Sequence, residues 1–344
     1  MSKPRSCNEC GLVLPANDFE GLCPVCLLRG VLERQPSTCD ESHDEKADRH
    51  IREQLELWGN VIEKKIGQGG CGAVYLTRTR VGDSVALKVM RPVAAGCEET
   101  AMKRFEREIA LTRQLRHSHI VELLEAGNIG PIHYFTMTYY PTGSVANLMM
   151  KHGGRLPLHV AGRIILDVLD GMAYAHQTVV DAICEDGTAE KKIGVVHRDL
   201  KPSNILLSGT DDCPIAIIAD FGLAKAYDIA GYSGFTDSLV HFGGTVPFAP
   251  PEQAFEFKRV KPVGDVWAAA ATFYNMLTGF YPRTPQPGLT PQEVMVRCPI
   301  VPIRVRDADV PEKVASVIDH ALAERIADRI QTMTEFRQEL ERVF

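Results

Sequence analysis

The sequence predicts an α+β chain with two lobes, strand-rich in front and helix-rich behind, preceded by a small metal-held module. Three observations carry that expectation. Within 57–140, short apolar runs at 61–62, 73–76 and 85–89 are separated by glycines and charges, the pattern of strands. Beyond Pro141 a helical periodicity takes over, at 158–176, 263–278, 312–323 and 332–343. Four of the ten cysteines crowd into the first 26 residues as two Cys-x2-Cys pairs, a ligand spacing rather than a disulfide framework.

Residues 1–35 hold Cys7, Cys10, Cys23 and Cys26. Two thiolates two residues apart can share one metal, and two such pairs complete a tetrahedral site. A zinc ribbon is the expectation; an iron centre is the alternative that spacing leaves open. So short a segment, with few large apolar side chains, needs the metal to fold. Its charges cancel, Lys3, Arg5, Arg29 and Arg34 against Glu9, Asp18, Glu20 and Glu33. A protein partner or an autoregulatory role is therefore expected of the ribbon, ahead of a purely structural or nucleic-acid-contacting one. Residues 36–56 turn acidic, through Asp40, Glu41, Asp44, Glu45, Asp48, Glu53 and Glu56, and read as a linker or an exposed helix.

The remainder, 57–344, is large for one core and divides into a front lobe, 57–140, and a back lobe, 141–344. One helix is expected in the front lobe, at 98–115, with Met102, Phe105, Ile109 and Leu111 on its apolar side. Lys and Arg number 38 against 44 Asp and Glu, so the chain has no broad footprint for nucleic acid or anionic membrane. Its most apolar window, 263–277, is broken by Gly264, Asp265, Thr272 and Asn275 and reads as a buried helix. A cytoplasmic location is expected.

The chemistry lies in four short stretches. Gly67, Gly69 and Gly72 fall between two strand-like runs, where bare backbone amides can approach phosphate. A dinucleotide site would need a helix after these glycines, and a strand follows instead. Lys88 stands inside an apolar strand, so its ammonium needs an anion; Glu108 of the helix is the expected one, ahead of Glu106. Then come His197-Arg198-Asp199-Leu200-Lys201-Pro202-Ser203-Asn204 and, further on, Asp220-Phe221-Gly222.

These stretches, in this order, resemble the signature set of the eukaryote-like Ser/Thr protein kinases, most closely their bacterial branch. The resemblance covers 57–344 and implies the bilobal protein-kinase fold, with ATP and Mg2+ as cofactors and proteins as substrates. It implies that Asp199 orients the substrate hydroxyl and accepts its proton, and that Lys201 neutralises the γ-phosphate. Asn204 and Asp220 would be the magnesium ligands, hard oxygen donors both. Lys88, steadied by Glu108, would hold the α- and β-phosphates beneath Gly67, Gly69 and Gly72. Val74, Ala86, the gatekeeper Met137 and a hinge from Thr138 to Tyr140 would receive adenine. Thr245, Asp265 and an Arg329–Glu252 ion pair match the family's structural positions. Arg198 matches the arginine that meets an activation-segment phosphate, for which Ser233, Thr236 and Ser238 are candidates.

The sequence departs from the family in three places. Pro250-Pro251-Glu252 stands where Ala-Pro-Glu is usual, keeping the charge but stiffening the loop. Thr138 replaces a common acidic hinge residue, to little effect where backbone does the reading. Residues 177–192 look like an insertion before the catalytic loop, expected to be a surface loop, with a docking site the alternative. A pseudokinase scaffold would usually lack one of Lys88, Asp199, Asn204 and Asp220. A small-molecule kinase would have no need of the 244–252 segment.

Overall fold

A computed structural model describes residues 5–6, 13–14, 61–69, 72–90, 98–129, 132–183, 188–221, 246–254, 260–286 and 288–344. The chain divides into two compact units, Met1–His50 and Ile51–Phe344. In the first, β1 (Arg5–Ser6) pairs antiparallel with β2 (Val13–Leu14), with Arg5 opposite Leu14 and Ser6 opposite Val13. The four cysteines expected to bind metal and the expected linker lie outside the described residues.

The second unit opens with β3 (Val61–Gly69), β4 (Gly72–Arg78), β5 (Ser84–Met90), β6 (Leu123–Ile129) and β7 (Ile132–Thr138). They form one antiparallel sheet in the order β3-β4-β5-β7-β6. Central β5 is buried at every residue after Ser84 because both of its faces are covered. On one face Ala86 and Met90 pack with Phe105 and Ile109 of helix α1 (Glu98–Thr112). On the other, Leu87 and Val89 pack with Ile62, Tyr75 and Tyr134. Burial on two sides explains why β5 reads as an unbroken apolar run interrupted only by Lys88. Helix α1 stops short of the 98–115 expectation: the amides of Gln114 and Leu115 bond three residues back, to Leu111 and Thr112, in closing turns.

The back lobe is built from α2 (Val145–Lys151), α3 (Leu158–Gln177), α4 (Pro262–Thr278), α5 (Pro291–Arg297), α6 (Ile303–Arg306), α7 (Glu312–Ala321) and α8 (Met333–Glu341). Their ends follow local chemistry. Ser144 and Asn147 form a capping box on α2, and Thr290 and Glu293 form another on α5. Pro262 opens α4 and Gly279, at φ 74°, closes it. Buried nearly all round, α4 lies at the centre of the core. Its alanines at 268–271 are small enough for close packing, while Trp267, Phe273 and Tyr274 fill the space around them.

Two hairpins complete the lobe. The stretch expected to be a loop insertion is a hairpin of β8 (Val179–Ile183) and β9 (Ala189–Ile193), inserted between α3 and the His197–Asn204 stretch. Gly194 takes the chain out of it at φ 85°, where a Cβ would lie 2.7 Å from the His176 carbonyl oxygen. The second hairpin, β10 (Ile205–Gly209) with β11 (Pro214–Ile218), carries the chain from Asn204 toward Asp220. Among the described residues no helix is long and apolar enough to cross a membrane.

Candidate active site

The glycine turn is built by β3 and β4, with Gly67 opposite Val74 and Gly69 opposite Gly72. At Gly72, φ is 149° and a Cβ would come within 2.0 Å of the Val89 carbonyl oxygen, so only glycine fits. Behind the turn, Val74, Ala86, Met137, Tyr140 and Leu206 belong to one apolar cluster that reaches from the sheet to β10. Such a surface suits a flat aromatic base. Leu206 carries no motif; only the β10–β11 register, Leu206 opposite Ile217, brings it here. Its place two residues after Asn204, in an apolar run, is the one signal available in the sequence. In the hinge, the Thr138 amide donates to the Glu122 carbonyl and the Tyr140 carbonyl accepts from the Gly143 amide, both at 3.2 Å.

Lys88 is buried in β5, and its Nζ donates to Asp220 Oδ2 at 2.6 Å. Glu108, expected beside Lys88, instead places Oε1 3.7 Å from Arg198 Nη1. Burial pushes the Glu108 carboxyl above its ordinary pKa, with the cations Arg198 and Lys192 opposing that rise. Glu106, the competing candidate, is exposed.

Asp199 is fixed by its neighbours in the loop. Its amide donates to His197 Nδ1 at 3.2 Å. Asn204 Nδ2 donates to its carbonyl oxygen at 2.9 Å and to its Oδ2 at 3.0 Å, and Lys201 Nζ lies 3.1 Å from the same Oδ2. With Nδ1 accepting, His197 Nε2 donates to the Ala219 carbonyl at 3.0 Å. That is the neutral tautomer, in keeping with burial holding its pKa below the ordinary value.

Beneath the loop Asp265 accepts from the His197 amide, the Arg198 amide and His176 Nε2, each at 2.8 Å. Burial works to raise its carboxyl, but the hydrogen bond and charge of His176, with the hydrogen bond from the His197 amide, outweigh it and hold the pKa low. The bond to the Arg198 amide matters because Arg198 stands at φ 64°, a region that residues with a Cβ rarely adopt; Asp220, at φ 62°, is held instead through its side chain by Lys88. Farther back, buried Arg329 grips Glu252 with Nη1 to Oε1 at 2.8 Å and Nη2 to Oε2 at 3.2 Å.

Asp220 Oδ1 is buried and has no hydrogen-bond partner among the described residues. A divalent cation would satisfy that oxygen, and Asn204 offers a second oxygen donor, so the residues fit magnesium. Gly222, Thr245, Ser233, Thr236 and Ser238 lie outside the described residues.

Residues 61–340 match the family model described as the protein kinase domain. The chain belongs to the protein kinase family. As a kinase domain it is 29% identical, over 299 residues, to the serine/threonine-protein kinase PknB of Mycobacterium tuberculosis, covering 86% of this chain and 43% of PknB. It is 30% identical over 226 residues to the CBL-interacting serine/threonine-protein kinase 16 of Arabidopsis thaliana, covering 64% of this chain and 44% of that one. The chain thus spans less than half the length of these two relatives. The crystal structure of the Mycobacterium tuberculosis PknI kinase domain shares the fold with a TM-score of 0.57 at 23% identity, covering 83% of this chain and 96% of that one. The two-lobed kinase fold expected from the motifs is therefore the fold of this chain.

Proposed function

We propose that this chain is a Ser/Thr protein kinase that transfers the γ-phosphoryl group of ATP to protein hydroxyls. One observation carries the reading. Lys88 meets Asp220 from 132 positions away, Asp199 is held by Asn204 and Lys201, and the Ala219 amide, donating to the Asn204 carbonyl at 2.9 Å, ties the two groups together. In the reaction Asp199 accepts the proton of the substrate hydroxyl as its oxygen attacks the γ-phosphorus and the bond to the ADP oxygen breaks. Lys201 neutralises the moving phosphoryl group, and Lys88 holds the phosphates that become ADP. Asp220 and Asn204 would hold magnesium, which supplies positive charge to the phosphates. The Glu252–Arg329 pair anchors the end of the segment that shapes the peptide platform in the family, which favours protein over metabolite acceptors. We place the reaction in the cytoplasm, where ATP is supplied. Label from ATP should pass to protein and be lost in Asp199→Asn; label passing to metabolites alone would overturn the reading.

We further assign zinc to Cys7, Cys10, Cys23 and Cys26. The antiparallel pairing of Arg5–Ser6 with Val13–Leu14 supports it, because the strands flank the first cysteine pair in sequence. The zero net charge of the module favours a protein partner or autoregulation over nucleic acid. Cys7→Ser should release about one zinc per chain. Metal analysis checks this, and intact protein without zinc would contradict it.

Activation by autophosphorylation belongs to the same reading. A phosphate on Thr236 or Ser238 brings about −1.5 to −2 charge and can pair bidentately with Arg198, which now faces Glu108. Thr236→Ala combined with Ser238→Ala should slow the enzyme about tenfold, an effect of ~1.4 kcal/mol on the barrier. Kinetics with phosphosite mapping decide it; full activity and no phosphate between Ser233 and Ser238 would mean that another element orders the loop. Asp237, between them in the sequence, is a carboxylate that could supply part of that anion.

A further inference from the structure

We propose that Gln253 is a positioning residue for phosphoryl transfer, fixing the peptide unit through which the chain enters Asp199. The inference rests on the kinase reading and deepens the same site. Gln253 belongs to none of the stretches that carry the chemistry in the sequence.

The peptide unit between Arg198 and Asp199 is held on both sides. Its carbonyl, that of Arg198, accepts from Gln253 Nε2 at 3.1 Å. Its amide, that of Asp199, donates to His197 Nδ1 at 3.2 Å. A carbonyl oxygen only accepts, so the carboxamide must present its nitrogen here. The unit on the other side of Arg198 is set by the 2.8 Å bond from the Arg198 amide to Asp265 Oδ1. Arg198 stands between these two units at φ 64°, and backbone in that region persists only where its surroundings over-determine it.

A turn of the second unit, through opposed changes in ψ of Arg198 and φ of Asp199, would break both of its bonds. It would also reorient the Asp199 side chain against its contacts with Asn204 at 3.0 Å and Lys201 at 3.1 Å. His197 belongs to the same loop and can move with it, whereas Gln253 comes from 55 positions away on a separately anchored turn.

That anchoring is close by. Gln253 is 8% exposed within the short helical turn Pro251–Ala254, and its own amide donates to the Pro250 carbonyl at 3.0 Å. Glu252 before it is clasped by buried Arg329, and Ala254 after it packs with Ala249 and with Met295 of α5. Two successive residues thus reach Arg329 and Arg198, so the anchor of the segment is also a support of the catalytic loop.

The test uses the full chain with casein as acceptor and compares Gln253→Met and Gln253→Glu with the unsubstituted protein. Methionine keeps the length and fills the space but donates nothing; glutamate keeps the shape and sets a carboxylate oxygen against the carbonyl. With ATP sites counted by Mg·ADP binding, kcat per site should fall about tenfold in Gln253→Met and at least as far in Gln253→Glu, with KM for ATP unchanged within about twofold. A loss of folded enzyme would lower the number of sites and not the turnover of each. Independently of turnover, hydrogen exchange of the Asp199 amide should be about tenfold faster in Gln253→Met, while amides in the middle of α4 stay unchanged. Unchanged kcat, or a fall in kcat without faster exchange at Asp199, would overturn the proposal. Absence of phosphotransfer in the unsubstituted protein would instead remove the kinase reading, and exchange at Asp199 would still decide whether Gln253 fixes the unit.

Discussion

Asp220→Ala is expected to reduce phosphoryl transfer by about 10³-fold or more while leaving both lobes folded. Asp220 accepts from Lys88 at 2.6 Å with one oxygen and leaves the other buried without a hydrogen bond. The substitution removes the anion that steadies Lys88 and the oxygen that fits magnesium in a single step. Since charge neutralisation and positioning make up most of phosphoryl-transfer catalysis, little remains to compensate. Asp220→Asn is the companion variant, because asparagine tolerates the left-handed backbone at φ 62° better than alanine does. Both should bind protein substrate and melt cooperatively. Near-normal transfer by either purified, folded variant would remove Asp220 from the mechanism.

The second large effect is on stability. Asp265→Ala should destabilise the domain by about 3–5 kcal/mol, read from urea unfolding, and lower activity with it. The carboxylate is 1% exposed and is the acceptor for two backbone amides and His176. Truncation leaves these donors buried without a partner, and each such group costs about 1–3 kcal/mol. The Arg198 amide is one of them, so the loop loses the bond that holds its strained turn beside Asp199. The pH dependence follows from the sign of the shift. The folded pKa lies below the ordinary 3.8, so the contribution of Asp265 is complete at neutral pH. It fades only as pH falls from about the unfolded value through the folded one. The difference in stability between the parent protein and Asp265→Ala should therefore be flat near neutrality and shrink in acid. A difference that persisted undiminished in strong acid would deny Asp265 its charged role.

The sequence by itself determined the chemistry. Residue types carry it, and their order along the chain is specific: glycines at a turn, a lysine in an apolar strand, and the run from His197 to Asn204 followed by Asp220. The span of α4 was legible for a local reason too, since Pro262 and Gly279 bound the expected 263–278, whereas α5, opened by the equally local Thr290–Glu293 box, was not anticipated. Apart from the Arg329–Glu252 pair, which the family resemblance implied, tertiary structure decided which charges meet. Lys88 finds Asp220 across 132 positions, and His176 finds Asp265 across 89, separations at which no periodicity survives. It turned the 177–192 insertion from an expected loop into a hairpin seated on Val180, and it gave Glu108 to Arg198. A carboxylate goes to whichever cation the packing brings nearest, and packing is settled by the whole core rather than by the residues on either side.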